Sequence, residues 1–254
     1  MSAAPTSGET YLSFDGTGYV EIPSLPAYSA DRTGELTVAA WIKADVEEFR
    51  HQEGTNYVHW MGKGDRSGPH GNQEWVCRMY SKSTADHREK RTSFYLFNPQ
   101  GRLGVGSFVQ EDVPVGTWRL IVGMADRNRT YLYRNGELMD SDIYRGPGRP
   151  GGRMMRDGSL GPHLVINPLA GNAPLRIGTQ DKRSFFQGGI SRVRIWGRVL
   201  TPAEIRSLHE SDVASRDWLV GEFLLNRDTG KEALDTAYEN HGKSFGGAAW
   251  AVQG

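Results

Sequence analysis

The chain has 254 residues, 37% of them hydrophobic and 24% charged, with a formal net charge of +0 and a pI near 7.1. So even a balance supplies no basic field for nucleic acid or an anionic membrane surface, and no window reaches the roughly 20 apolar residues that cross a bilayer. Cys77 is the only cysteine, which rules out an internal disulfide and a cysteine-based zinc cluster.

The start, MSAAPTSGET, lacks the basic-then-apolar layout of a signal peptide, so the default expectation is a cytoplasmic or particle-associated protein with residues 1–8 disordered. Tyr11 to Phe14 reads as a strand, Asp15-Gly16-Thr17-Gly18 as its turn and Tyr19 to Ile22 as the returning strand. Leu36 to Ile42 alternates, with Leu36, Val38, Ala40 and Ile42 on one face and Trp41 on the other. Residues 45–56 are charged and irregular and read as a loop. Tyr57 to Met61 and Trp75 to Tyr80 make the next pair of strands. Residues 82–91 are mixed in sign and read as an exposed loop before strands at Ser93 to Phe97 and Gly101 to Val109.

Leu120 to Val122 and Tyr131 to Arg134 form a hairpin around Asp126-Arg127-Asn128, with Asn135-Gly136 as the next turn. Residues 141–172 are rich in glycine and proline, nearly without periodicity, and read as one long functional or mobile loop. Leu175 to Gly178 resumes the sheet. Ile190, Val193 and Ile195 then suit a buried face, and Arg192, Arg194 and Trp196 the opposite one. Thr201, Pro202 and Glu204 meet the demands of a capped helix start, and Ile205 and Leu208 give that helix one apolar edge. Trp218 to Leu225 and Ala248 to Val252 read as further strands. No fixed-period repeat is present, so short strands at this spacing point to two antiparallel sheets packed face to face.

Four stretches, YLSFDGTGYVEIP (11–23), LTVAAWIKAD (36–45), GTWRLIVGMADRNRTYLYRNGEL (116–138) and PLRIGTQDKRSFFQGGISRVRIWGRVLTPAEI (174–205), together resemble the laminin-G-like domains of the concanavalin-A-like lectin superfamily. The resemblance implies an all-β fold: an antiparallel jelly-roll β-sandwich with one short C-terminal-side helix, forming a single domain over 9–254. The run GEFLLNRDTGKEALDTAYENHGKSFGGAAW (221–250) is similar to an element that precedes the first hairpin in such domains. Residues 217–254 are therefore expected to dock back onto the N-terminal strands, since a tail this short cannot easily hold its own core. The alternative is an appended, incomplete second unit.

Related domains frequently bind calcium, so the resemblance implies it as a cofactor here. Calcium takes about six to eight oxygen ligands. The best grouping is Asp235 and Asn240 with nearby carbonyls, completed by Asp15 of the Asp15-Gly16 turn; the alternative is that Asp235 and Asn240 hydrogen-bond their own turn.

A sugar-binding face needs aromatics to stack on pyranose rings and planar polar groups for the hydroxyls. His59, Trp60, Trp75, Arg78 and Tyr80 fall on adjacent strands, with Asp65 between them. Alternation groups Trp75 with Cys77 and Met79 on a buried face, leaving Arg78 and Tyr80 on the more open one. Arg149 and Arg153, with Arg145 and Arg156, sit in the long loop and suit a sulfated or uronic polymer, or ordinary solvation. The candidate ligand residues are His59, Asp65, Arg78, Tyr80, Arg149 and Arg153.

Catalytic signatures are lacking: there is no E-x-D-x-E strand, G-x-S-x-G elbow or H-E-x-x-H pair. The expected function is a non-catalytic recognition module for a carbohydrate or glycoprotein. The alternatives are a structural or assembly protein that binds other protein chains, and a polysaccharide lyase or glycoside hydrolase.

Overall fold

A computed structural model describes residues 2–65, 73–97, 104–109, 111–144 and 168–254. In chain order the strands are β1 (Thr10–Asp15), β2 (Tyr19–Ile22), β3 (Leu36–Ala44), β4 (Tyr57–Gly64), β5 (Gln73–Tyr80), β6 (Thr92–Phe97), β7 (Gly104–Phe108) and β8 (Arg119–Ala125). They continue as β9 (Arg129–Arg134), β10 (Glu137–Ile143), β11 (Leu175–Ile177), β12 (Gln187–Trp196), β13 (Leu219–Phe223), β14 (Glu232–Ala233), β15 (Gly242–Phe245) and β16 (Ala248–Val252). Helix α1 (Pro202–Ser211) lies between β12 and β13.

The strands form the expected jelly-roll sandwich of two antiparallel sheets. The first has the order β10-β9-β8-β3-β12-β1-β16, with β13 also on β12; the second has the order β14-β15-β2-β11-β4-β5-β6-β7. Leu36, Val38, Ala40 and Ile42 face the second sheet, meeting a core that includes Trp60, Trp75, Cys77 and Phe94. Trp41 turns the other way, into a second apolar layer with Trp118, Trp196, Ile205 and Leu208 under α1. Burial of Ile205 and Leu208 at 0% and 1% exposure contributes about 1.5–3 kcal/mol each and holds the helix on the first sheet. The helix start is the capping box expected: Glu204 N donates to Thr201 Oγ1, and Thr201 N donates to the Glu204 carboxylate at 2.8 Å.

Two local departures shape the sandwich. Ile190 and Val193 both face the core although three residues apart, because the β12–β3 register shifts between Ser191 and Arg194. Arg192 takes a left-handed φ of 51° at this bulge, which restores the inward face after an extra residue. The Asp15–Gly18 turn does not close a hairpin. β1 pairs with β12 and β16, while β2 pairs with β11 and β15, so the turn carries the chain between layers. β10 runs to Ile143 from an Asn135-Gly136 turn with both φ values positive, so residues 141–143 of the expected long loop are strand; residues 145–167 of it lie outside the described residues.

The C-terminal strands β15 and β16 lie on β2 and β1, one in each sheet. Residues 2–8 run against the body, where Ala3 N donates to His209 O at 2.6 Å and Gly8 N to Gln253 O at 2.8 Å. Among the described residues, no helix is long and apolar enough to cross a membrane.

Candidate functional site

The outer face of the second sheet is built by the same alternation that fills its core. On β5, Trp75, Cys77 and Met79 point inward, as expected, and Arg78 and Tyr80 point outward. Tyr57 stands opposite Tyr80 and His59 opposite Arg78 on β4. On β6, the outward positions are Tyr95 and Phe97.

Arg78 is the centre of this group. Its Nε donates to His59 Nε2 at 3.2 Å, and its guanidinium carbon lies 4.4 Å from the Tyr57 ring centre, 4.6 Å from Tyr95 and 5.4 Å from Phe97. Such cation–π contacts are worth about 0.5–2 kcal/mol each, depending on desolvation. Arg88 reaches in from the β5–β6 loop: Nη1 donates to Tyr80 Oη at 3.1 Å and to Tyr95 Oη, and the guanidinium covers Phe108 at 4.1 Å. The segment expected to be an ordinary exposed loop therefore contributes a wall of the site. Among the described residues no carboxylate lies within ion-pairing distance of Arg78 or Arg88. Burial alone raises the pKa of the Tyr80 hydroxyl, but the two guanidinium charges outweigh it and hold that group below its ordinary value.

Behind His59 lies an acidic cluster. His59 Nδ1 is 2.7 Å from Glu53 Oε1, which also accepts from Ser184 Oγ at 3.0 Å. Burial opposes the Glu53 charge, yet the His59 contact, Ser184 and Arg78 bring its pKa down to about 2. Asp181 moves oppositely: burial, then the charges of Glu53 and Asp65, push its pKa up to about 6. Glu53 Oε2 and Asp181 Oδ2 are both shielded from solvent without a hydrogen-bond partner among the described residues.

Ligand atoms of Glu53, His59 and Asp181 lie within 4.8 Å of one another, a donor set of one imidazole and two carboxylates that suits a borderline divalent ion. The tautomer opposes such an ion. With Arg78 donating to Nε2, the imidazole proton belongs on Nδ1, where it serves Glu53, and a metal on Nδ1 would set an N–H against the Arg78 donor.

Of the residues singled out from sequence, His59 and Tyr80 are buried at 1% and 0% exposure, Arg78 is half-buried, and Asp65 sits at the end of β4 beside Asp181. Tyr80 is thus a supporting hydroxyl under Arg88, not an open stacking surface. Arg149 and Arg153 lie outside the described residues.

Asp15, Asp235 and Asn240 do not make one calcium site. Asp15 pairs with Gln187, and Asp235 bridges to Phe223, which pairs with Val193. That places Asp15 and Asp235 six residues apart along β12, about 20 Å. The Asp235 carboxylate accepts the backbone N–H groups of Glu222, Ala237, Tyr238 and Asn240 at 2.9–3.3 Å, which occupies the lone pairs a cation needs. Asn240 Nδ2 donates to Pro23 O and Tyr28 Oη.

Two further groups with chemistry of their own, Cys77 and Glu222, are tied up. Burial pushes the Cys77 thiol well up, which leaves it inert. Glu222 is tied to Arg194 at 2.9 Å and Arg216 at 2.6 Å. Tyr57, Tyr95 and Phe97 were missed in the sequence although their parity with Arg78 marks them. Glu53, Arg88 and Asp181 come from irregular segments with no periodic signal.

Two antiparallel sheets, a helix closing one of them and a decorated outer face on the other define a concanavalin-A-like β-sandwich. The family model for laminin G domains of the concanavalin A-like lectin/glucanases superfamily matches residues 14–160, and the chain belongs to that family. No curated protein sequence matches it. Among solved structures, it is similar to a candidate carbohydrate binding protein from Bacteroides ovatus, with a TM-score of 0.65 and 14% identity over 98% of this chain and 61% of that one. The chain thus spans less than two thirds of that protein. It is also similar to a heptameric SAP-like pentraxin from Limulus polyphemus (TM-score 0.56, 13% identity, 98% of each chain). A third likeness is to the IT-sialidase CBM40 of Ruminococcus gnavus bound to α2,3 sialyllactose (TM-score 0.50, 13% identity, 80% of this chain and 99% of that one). At such identities these likenesses speak to the fold alone.

Proposed function

We propose that the protein is a non-catalytic carbohydrate-recognition module whose second-sheet outer face takes an acidic sugar, with Arg78 as the anchor. One observation carries this reading: a half-buried guanidinium between Tyr57 and Tyr95, with no carboxylate in ion-pairing distance among the described residues and Glu53 reached only through His59. A charge withdrawn from water calls for a counter-charge, and a planar guanidinium matches a carboxylate or sulfate two-pronged. Half-buried Tyr95, backed by buried Phe97 at 6.1 Å between centres, offers an aromatic edge for a sugar ring beside it. The carbohydrate-binding names of the Bacteroides and Ruminococcus proteins agree with this reading.

A glycan array tests it. Binding should concentrate on uronic, sialylated or sulfated glycans and fall about 10–100-fold in Arg78→Ala, the cost of losing a charge-assisted contact. Binding to neutral glycans only, or no loss in the variant, would remove Arg78 from the site.

A glycoside hydrolase is the second reading, because Glu53 and Asp181 have pKa values driven apart, as an acid and a base require. The engagement of Glu53 Oε1 by His59 and Ser184 disfavours it, since that oxygen already accepts two hydrogen bonds. Release of reducing ends that stops in Glu53→Gln and Asp181→Asn would establish it.

A further inference from the structure

Asp235 and Asn240, singled out for calcium, do something else: they fix the walls of a cleft beside the Pro26 turn, where Tyr28 O accepts from Trp75 Nε1 of β5 at 2.8 Å. Asp235 collects four backbone N–H groups, including that of Tyr238, and Asn240 ties the same loop to Pro23 and Tyr28. The two walls, the turn around Pro26 and the loop holding Tyr238, are thereby set in place without a ligand. Between them lies a cleft of about 310 Å³ with a largely apolar lining. That volume stands at the small end of the range for small-molecule sites, about 300–1,000 Å³.

Three features of the cleft ask for a ligand. Trp218 and Tyr238 line it with 56% and 62% of their surface exposed, the kind of large aromatic area that a soluble protein otherwise buries. Trp218 is held there by a left-handed backbone, φ 56°, which a bulky side chain rarely adopts, and its carbonyl is pinned by Gly197 N at 3.0 Å. Ser29 is 2% exposed, lines the cleft, and its Oγ has no hydrogen-bond partner among the described residues. A buried hydroxyl without a partner is costly, so a donor or acceptor entering the cleft gains what the protein itself withholds. At the rim, the exposed Arg32 side chain adds a planar donor.

We propose that this cleft is a second carbohydrate site, which takes one neutral pyranose ring with its apolar C–H face against Trp218 and Tyr238 and a hydroxyl on Ser29 Oγ. A pyranose fits this combination because it carries an apolar face and equatorial hydroxyls on one small rigid ring, which a purely apolar ligand does not. The inference stands apart from the Arg78 reading, since the cleft shares no lining residue with that face and needs no charge on the ligand.

The test follows the seven tryptophan indole N–H resonances of nitrogen-15-labelled protein during titration with methyl pyranosides of glucose, galactose, mannose and N-acetylglucosamine. The Trp218 resonance, assigned by its loss in Trp218→Phe, should shift saturably at millimolar ligand. Those of Trp41 and Trp60, buried away from the cleft, should stay still. Calorimetry should then give affinity at least about tenfold weaker in Trp218→Ala and Tyr238→Ala, and about three- to tenfold weaker in Ser29→Ala. Both aromatic positions are exposed, so these variants keep the wild-type melting temperature. Arg78→Ala should leave the response intact, which separates this site from the other. A Trp218 resonance unmoved by all four pyranosides would overturn the proposal, as would undiminished affinity in Trp218→Ala.

Discussion

Asp181→Asn isolates the electrostatics of the acidic cluster. In the folded protein, burial and the nearby Glu53 and Asp65 charges hold the Asp181 carboxyl at about 6, against an ordinary 3.8. A proton bound more tightly in the folded state stabilises it fully below pH 3.8, and that contribution is lost as pH rises through about 6. The distance between the two values corresponds to roughly 3 kcal/mol, or about 2 kcal/mol after allowance for solvent screening. Asparagine has the same shape and no charge, and its amide can donate to Glu53. The variant should therefore match the wild type at pH 4 and exceed it at pH 8 by about 2 kcal/mol. For a chain of this size that is about 4–8 °C in melting temperature. Differential scanning calorimetry at pH 4, 6 and 8 reads the crossover directly. A difference that does not change with pH, or a variant weaker than wild type at pH 8, would refute the assignment of charge strain to Asp181.

Lys63 and Glu74 form a buried pair at 2.6 Å, with side chains 0% and 2% exposed, both also bonded to Gly171. Lys63→Met strands the carboxylate and should cost about 3–5 kcal/mol in urea unfolding, while adding Glu74→Leu should recover most of it; a single-variant cost under about 1 kcal/mol would contradict the pairing. A Cβ at Gly18 would lie 2.1 Å from the Ala248 backbone nitrogen, so Gly18→Ala should destabilise by about 1–3 kcal/mol and speed hydrogen exchange along β16. Unchanged exchange there would mean that the turn does not hold the C-terminal strand. Millimolar calcium or a chelator should leave the melting temperature unchanged if Asp15, Asp235 and Asn240 act as described, and a calcium-dependent rise abolished by Asp235→Asn would show otherwise.

The fold is legible wherever a strand has two distinct faces. Leu36 to Ile42 states its inward and outward residues by alternation alone, and Thr201 to Glu204 states a helix start by its cap. Alternation misleads at β12, because the bulge at Arg192 changes parity inside the strand. The Asp15–Gly18 segment has the composition of a hairpin turn, yet those residues serve equally a turn that passes between sheets. Arg78 and Tyr80 were legible for the same reason as Trp75. Arg88, Glu53 and Asp181 were not, since tertiary contacts such as Ser184 Oγ to Glu53 Oε1 place their loops. Asp235 and Asn240 show the limit of residue type as evidence, because the oxygens that ligate calcium also accept backbone N–H groups.

The most direct test is calorimetric titration of the tightest acidic oligosaccharide against its carboxyl-reduced counterpart, in wild type, Arg78→Lys and Arg78→Ala. Tight binding of the acidic form alone is expected, partly kept by lysine, which supplies the charge without the fork, and lost with alanine. Equal affinity for the reduced sugar, or full affinity in Arg78→Ala, would mean that the guanidinium between Tyr57 and Tyr95 does not recognise the ligand.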